Sequence, residues 1–299
     1  MPTLNYFSRR PCCSWRCRQL PWQRQRPAAS SAAPAAATRN QPAETVPASA
    51  PAISQETPRT TKNILSIEYV HRNFNYIETK NGKFLDSENG PLSGYAIAFK
   101  QQNLKHGNYW QLRYERLGNS THYIGALLND PNTAVTGQSQ ALVEDAAAIY
   151  AWPVSRDKKQ FIYTGIGWHK WDRDLVPGAE DEIYEWLYLP LGYRCEFLSG
   201  HQVHAALDIC AKFMIHSQMN VILDGDKATA DIGSRPGIRL ELPIACALDE
   251  GWELKLTPWY EYSAIGKSPN FSVAGSGGFY EPASTNRQYG INVGLQYSF

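Results

Sequence analysis

Residues 289–299, YGINVGLQYSF, decide the fold. Tyr289, Ile291, Val293, Leu295, Tyr297 and Phe299 occupy every second position, and Gly, Asn, Gly, Gln and Ser fill the gaps. Successive side chains of a strand point to opposite faces, so this is a β-strand with one apolar and one polar side. Alternation alone does not say whether the apolar side meets a protein core or lipid. The rest of the chain has to answer that.

From about Leu65 the sequence reads as strand after strand, with almost no helical periodicity. The runs are 65–76, 94–103, 108–117, 138–153, 160–171, 183–197, 202–216, 238–247, 252–265 and the closing stretch, which makes ten, with eight as the alternative. The connections after the even-numbered runs are short: LKHG, VSRDKK, LSGH and LDEG. Those after the odd-numbered runs are long and polar, among them TKNGKFLDSENGP (79–91), DRDLVPGAEDE (172–182) and GKSPNFSVAGSGGFYEPAST (266–285). Tight turns therefore gather at one end and long connections at the other. That asymmetry and an even strand number describe an all-β, antiparallel, up-and-down transmembrane β-barrel. A soluble barrel with an apolar interior, of the calycin ligand-binding kind, is the alternative, because it shows the same alternation.

Face by face, the apolar side of each run is opposed by charge. Trp252, Leu254 and Leu256 alternate with Glu253 and Lys255, and Ile238, Leu240 and Leu242 with Arg239 and Glu241. The charged face comprises Glu68, Lys100, Arg113, Glu115, Arg194, Glu196, Asp208, Lys212, Arg239, Glu241, Glu253, Lys255 and Glu261, nearly balanced in sign. In a membrane barrel these thirteen line a narrow lumen bridged by ion pairs, and the closing strand turns Tyr289 to Phe299 toward lipid. Backbone satisfaction points the same way, since only helices and closed barrels span hydrocarbon with every polar group paired. No run of 18 apolar residues exists for a membrane helix.

Residues 1–62 read as a separate segment, and 63–299 as the barrel. Nine Lys/Arg and two Asp/Glu give the first segment +7, and the remainder carries −6. Its basic charge sits in a Pro/Ala/Arg/Gln-rich stretch too apolar-poor to fold, so a disordered leader or linker is expected rather than a nucleic-acid-binding face. No apolar signal-peptide core is legible there, and a misassigned start is one expectation. Cys12, Cys13 and Cys17 form at most a metal half-site. Cys195, Cys210 and Cys246 stand isolated in strand-like runs. Of the seven histidines only His201 and His204 are closely spaced, at a tight turn. No disulfide, metal or cofactor is expected.

With its terminal Phe299, the closing strand resembles that of Gram-negative outer-membrane β-barrel proteins. YTGIGWHKWDRDL (163–175), EWLYLPLGY (185–193), LTPWYEYSAIGKS (256–268) and EPASTNRQYGINVGLQYSF (281–299) resemble poorly characterised proteobacterial members of that group. The resemblance covers roughly 64–299 and implies placement in the outer-membrane bilayer. It also implies recognition of the last strand by the barrel-assembly machinery. The expected role is non-enzymatic: structural, a small porin-like pore, or an adhesin-like surface binding an extracellular ligand. The alternative is an outer-membrane protease of the omptin type. Its candidates are Asp172, Asp174, Asp224 and Asp226 with His169 or His216, although the omptin Asp-x-His element is missing. His216 and Ser217 are adjacent and point to opposite faces of a strand, which disfavours a hydrolase dyad.

Overall fold

The computed structural model describes residues 59–127, 130–176, 180–223, 225–273, 278 and 280–299. The leader reading of residues 1–62 falls almost wholly outside them, and Thr61 and Lys62 already belong to the first strand. The strands are β1 (Thr61–Lys80), β2 (Lys83–Asn103), β3 (Tyr109–Leu127), β4 (Asp130–Pro153), β5 (Gln160–Val176), β6 (Glu180–Ser199), β7 (Val203–Leu223), β8 (Asp226–Asp231), β9 (Pro236–Glu241), β10 (Ile244–Asp249), β11 (Trp252–Ile265) and β12 (Ala283–Ser298).

Neighbours in sequence pair antiparallel around the wall, and β12 returns to pair with β1 from Ile64↔Ser298 to Thr79↔Ala283. The sheet is closed. The amide of Asn63 donates to the carbonyl of Phe299 at 3.0 Å, and the amide of Phe299 donates back at 2.9 Å, so the last residue is sewn into the seam. β9 and β10 together hold one place between β7 and β11, each pairing with both. The wall therefore has ten positions. β8 is an extra strand that pairs with the upper part of β7.

Two sequence readings need correction. The eighth run, read as one strand over 238–247, is broken at Leu242–Pro243 into β9 and β10. Pro243 has no N–H to give the ladder. The backbone stays satisfied nonetheless: the Pro243 carbonyl accepts from the Ala206 amide, and the Leu242 amide donates to the Pro258 carbonyl, both at 3.0 Å. The long connections, read as loops, are mostly strand. β1 and β2 continue to a two-residue turn at Asn81–Gly82, where both residues have positive φ (52° and 75°). That is the conformation a tight hairpin demands and that Asn-Gly supplies. Among the described residues the long connections are mostly strand, except in the β11–β12 connection, whose described residues are mostly irregular.

Strand length follows from this. At about 3.3 Å per residue, the 20 residues of β1 greatly exceed the ~9–11 that a tilted strand needs to cross a bilayer. Its outward side is apolar over Leu65, Ile67 and Tyr69, then turns polar at His71, Asn73 and Asn75, which are equally exposed. The membrane segment is thus the lower part of the wall, and the hairpin arms stand above it. Leu112, Ile166, Leu191, Ile209, Leu240 and Leu254 continue the exposed apolar belt around the circumference, and Tyr289, Ile291, Val293, Leu295, Tyr297 and Phe299 complete it. An apolar belt of this extent is not left against water. The soluble-barrel alternative fails here, because the apolar side faces out and the charged side faces in.

Candidate functional site: the filled barrel interior

Inward-facing side chains form two layers. In the membrane half, the wall supplies acids and bases that meet across the lumen. Glu68 of β1 lies 3.1 Å from Arg113 of β3 and 2.7 Å from Lys255 of β11, and accepts a 3.0 Å bond from the amide of Asn292 on β12. Arg113 also holds Glu115 at 2.9 Å. Farther around, Glu261 joins Lys212 and Arg239, each at 2.9 Å, and Arg239 reaches Glu241 at 2.5 Å. Asp145 collects His169 at 3.2 Å, the Tyr188 hydroxyl at 2.8 Å and Lys212 at 3.9 Å. Toward the tight turns, Arg194 approaches Asp208 and Glu196 at 3.7 and 3.6 Å, while Glu253 faces His204 at 3.6 Å and bonds Gln296. Lys100 caps the Tyr109 ring at 3.9 Å. Of the thirteen charged residues singled out in the sequence, eleven meet an oppositely charged side chain on the inner wall, while Glu253 meets His204 and Lys100 the Tyr109 ring.

Glycines on the inner wall make room for two of these contacts. Tyr163 stands opposite Gly192, and Tyr188 opposite Gly167, in the β5–β6 ladder. A Cβ on Gly192 would lie 1.9 Å from Cζ of Tyr163, and one on Gly167 2.1 Å from Cζ of Tyr188. The rings lie flat on the glycines, which lets the hydroxyls donate to Asp208 at 2.5 Å and Asp145 at 2.8 Å. Gly192→Val should therefore expel the Tyr163 ring and cost about 1–3 kcal/mol through overpacking. The urea midpoint of the folded barrel reads this, and Tyr163→Ala in the same chain should recover much of the loss. A neutral Gly192→Val would show that the ring has another place to go.

Above the membrane the interior changes character. Phe74, Tyr76, Trp171, Tyr184, Trp186 and Trp259 pack with Val70, Leu92, Leu117 and Val143 into a buried core. Trp171 and Tyr184 stack at 4.9 Å between centroids, and Tyr76 meets the Trp171 edge at 4.8 Å. On top lies Arg173, 1% exposed, with Glu88 at 2.6 Å, Glu182 at 2.7 Å, Glu78 at 3.7 Å and Asp86 at 3.9 Å. Thr121 donates to the second oxygen of Glu88 at 2.5 Å. A fifth carboxylate comes from outside the strands. Glu281 of the β11–β12 connection is 4% exposed, and its Oε1 lies 3.0 Å from the Tyr76 hydroxyl and 3.1 Å from that of Tyr184. Burial holds the Asp86 carboxyl up to about 6 despite Arg173.

The described part of that connection folds inward. Val273 is 1% exposed and Phe271 packs on the aromatic core. Its neck is closed by the Ser268 amide donating to the Glu281 carbonyl at 3.0 Å and by the Glu281 amide donating to Ser268 Oγ at 2.7 Å. Between and below these layers are two small cavities of about 10 and 20 Å³, flanking His169, Trp186 and Ser263. Each has room for about one water.

The omptin-type candidates do not converge. Asp172 points outward and pairs with Lys170 at 3.1 Å, and Asp174 is exposed on the same outer face. His169 faces the lumen, His216 is exposed outside it, Asp226 begins the β8 arm, and Asp224 lies outside the described residues. Cys195, Cys210 and Cys246 are free thiols. Among the described residues no three His, Cys, Asp or Glu side chains converge as metal ligands. What the sequence reading missed is the Arg173 cluster. Arg173, Glu78, Asp86, Glu88, Glu182 and Glu281 all lie at the ends of runs or in stretches read as loop.

No family model matches the chain, and no curated protein matches it in sequence. Solved structures do. The outer membrane protease OmpT of Escherichia coli aligns with a TM-score of 0.51 at 8% identity, over 81% of this chain and 98% of that one. The translocator domain of the autotransporter NalP from Neisseria meningitidis follows at 0.42 and 9%, over 81% and 89%. The toluene transporter TbuX of Ralstonia pickettii follows at 0.34 and 12%, over 81% and 90%. At such identity the OmpT likeness speaks to fold alone. Together with the outward apolar belt, it gives the chain the fold of a closed, ten-position transmembrane β-barrel, the fold that OmpT shares.

Proposed function

We propose that this protein is a non-enzymatic outer-membrane barrel whose interior is closed to bulk solute and whose hairpin arms act at the cell surface. The observation that carries the reading is the double filling of the lumen. An ion-pair network bridges the membrane half, and an aromatic core with the Arg173 cluster fills the half above it. Ten strands enclose an interior that side chains can fill, whereas open aqueous channels need about 16–18. By the general polarity of bacterial barrels, the long-arm end faces outward and the tight turns face the periplasm. The separation of Asp172, Asp174 and His169 onto different faces of the wall disfavours the protease alternative.

Planar-bilayer recording on the purified, folded protein tests the closed interior. Stable single-channel steps should be absent at neutral pH, and liposomes carrying the protein should not swell in small sugars. Large, long-lived openings would overturn the reading and place the protein among pores.

A further inference from the structure

The mouth at the long-arm end holds more acid than its one arginine can neutralise. Five carboxylates surround Arg173, all at most 9% exposed, and full ionisation would leave four uncompensated negative charges in a buried site. Such a site takes up protons or cations instead. The hydroxyl geometry favours protons. Tyr76 Oη lies 2.7 Å from Glu78 Oε1 and 3.0 Å from Glu281 Oε1, yet it has one proton to donate. Tyr184 Oη likewise lies 3.0 Å from Glu182 Oε2 and 3.1 Å from Glu281 Oε1. Four short contacts share two phenolic protons, so carboxyl protons must supply the rest. Glu281 Oε1, common to both tyrosines, is the central position.

We propose that the described part of the β11–β12 connection is a pH-sensitive closure of this mouth, held shut by the shared protons around Glu281 and loosened when they are lost. Glu281 is the connection's polar anchor to the wall, and Val273 and Phe271 are its apolar ones. The titratable and charged groups packed around Glu281 and the neighbouring Arg173 are Tyr76 and Glu78 from β1, Asp86 and Glu88 from β2, and Tyr123 from β3. Arg173 itself, from β5, and Glu182 and Tyr184 from β6 complete the set. Arg173 is the only cation among them and is already engaged by Glu88 and Glu182. Lys80 and Lys267 lie over the Tyr280 ring, at 5.3 and 4.1 Å.

The direction follows from linkage. Burial first, and the charge of Glu182 second, push the Glu281 carboxyl from 4.5 up to about 8. The closed mouth keeps the proton where a released Glu281 would ionise at its ordinary value. Closure is therefore fully favoured below about 4.5 and is lost progressively as pH rises toward about 8.

Hydrogen exchange at the amides of Lys267, Ser268 and residues 270–273, corrected for the chemical rate at each pH, tests this on the full chain folded in detergent. Protection should fall roughly tenfold or more between about pH 5 and about pH 9, while strand amides of β1 and β12 hold theirs. Glu281→Gln, neutral throughout, should show no such fall. A flat wild-type profile overturns the proposal and needs no variant. A fall that persists in Glu281→Gln overturns it as well. So does restoration of protection by millimolar calcium at high pH, which would make the cluster a cation site.

Discussion

Replacing Arg173 by Met should cost the barrel about 3–5 kcal/mol, the loss expected when one partner of a buried charge network is removed. Arg173 is almost wholly buried. Among the described residues it is the one cation paired with Glu78, Asp86, Glu88 and Glu182, which β1, β2 and β6 supply. Methionine fills similar volume, so the deficit is electrostatic rather than a cavity. The urea midpoint of the compact, heat-modifiable form should fall accordingly. The loss should shrink in acid, where the stranded carboxylates take up protons. Glu88→Gln with Glu182→Gln, added to Arg173→Met, should recover part of it by removing the two charges closest to the vacated position. Equal stability of Arg173→Met and the wild type near neutrality would mean that the acids already hold enough protons to do without the arginine.

Much of the fold is legible in short stretches. In β12 the alternation of Tyr289 to Phe299 with Gly, Asn, Gln and Ser marks both faces, and the same period in β9 and β11 separates Arg239, Glu241, Lys255 and Glu261 from the outward Leu and Ile. Ten wall positions follow from counting such runs. The period fails where polarity stops distinguishing the two sides. Above the membrane the outer face is polar too, as at His71, Asn73 and Asn75 of β1, so the strand looks like loop even though its backbone pairing continues. The Asn81–Gly82 pair is a hairpin signal within that stretch, and it marks the true turn. Pro243, with no amide hydrogen to give the ladder, marks the break in the eighth run.

The candidate site divides along the same line. Inward charges of the membrane half stand out because each sits between apolar neighbours. Arg173 does not, since DRDLVPGAEDE has charge on both faces. Its partners come from residues as far away in sequence as Glu78 and Glu88, and only closure of the sheet brings them together. Trp186 and Tyr188 share a face with Arg194 by simple parity. Their packing with Trp171 and Phe74 into a core above the ion pairs is a consequence of barrel geometry that no single strand displays.

The seam gives the second large effect. Glu68 is 2% exposed and joins four wall positions at once: it lies on β1 and reaches Arg113 on β3, Lys255 on β11 and Asn292 on β12. β1 and β12 are the first and last strands, so this carboxylate ties together the one junction that chain connectivity does not enforce. Glu68→Leu leaves Lys255 without its carboxylate and Arg113 with Glu115 alone. A loss of about 3–5 kcal/mol is expected, again as the cost of stranding buried charge. Lys255→Met alone should cost less, because Glu68 retains Arg113 and Asn292. The double variant Glu68→Leu/Lys255→Met should lose clearly less than the two single losses combined, since the second change removes the charge the first one strands. Hydrogen exchange locates the effect: in Glu68→Leu the amides of β1 and β12 should lose protection before those of β5 and β6. Additive losses, or a uniform fall in protection around the wall, would show that Glu68 is one ion pair among many rather than the fastening of the seam.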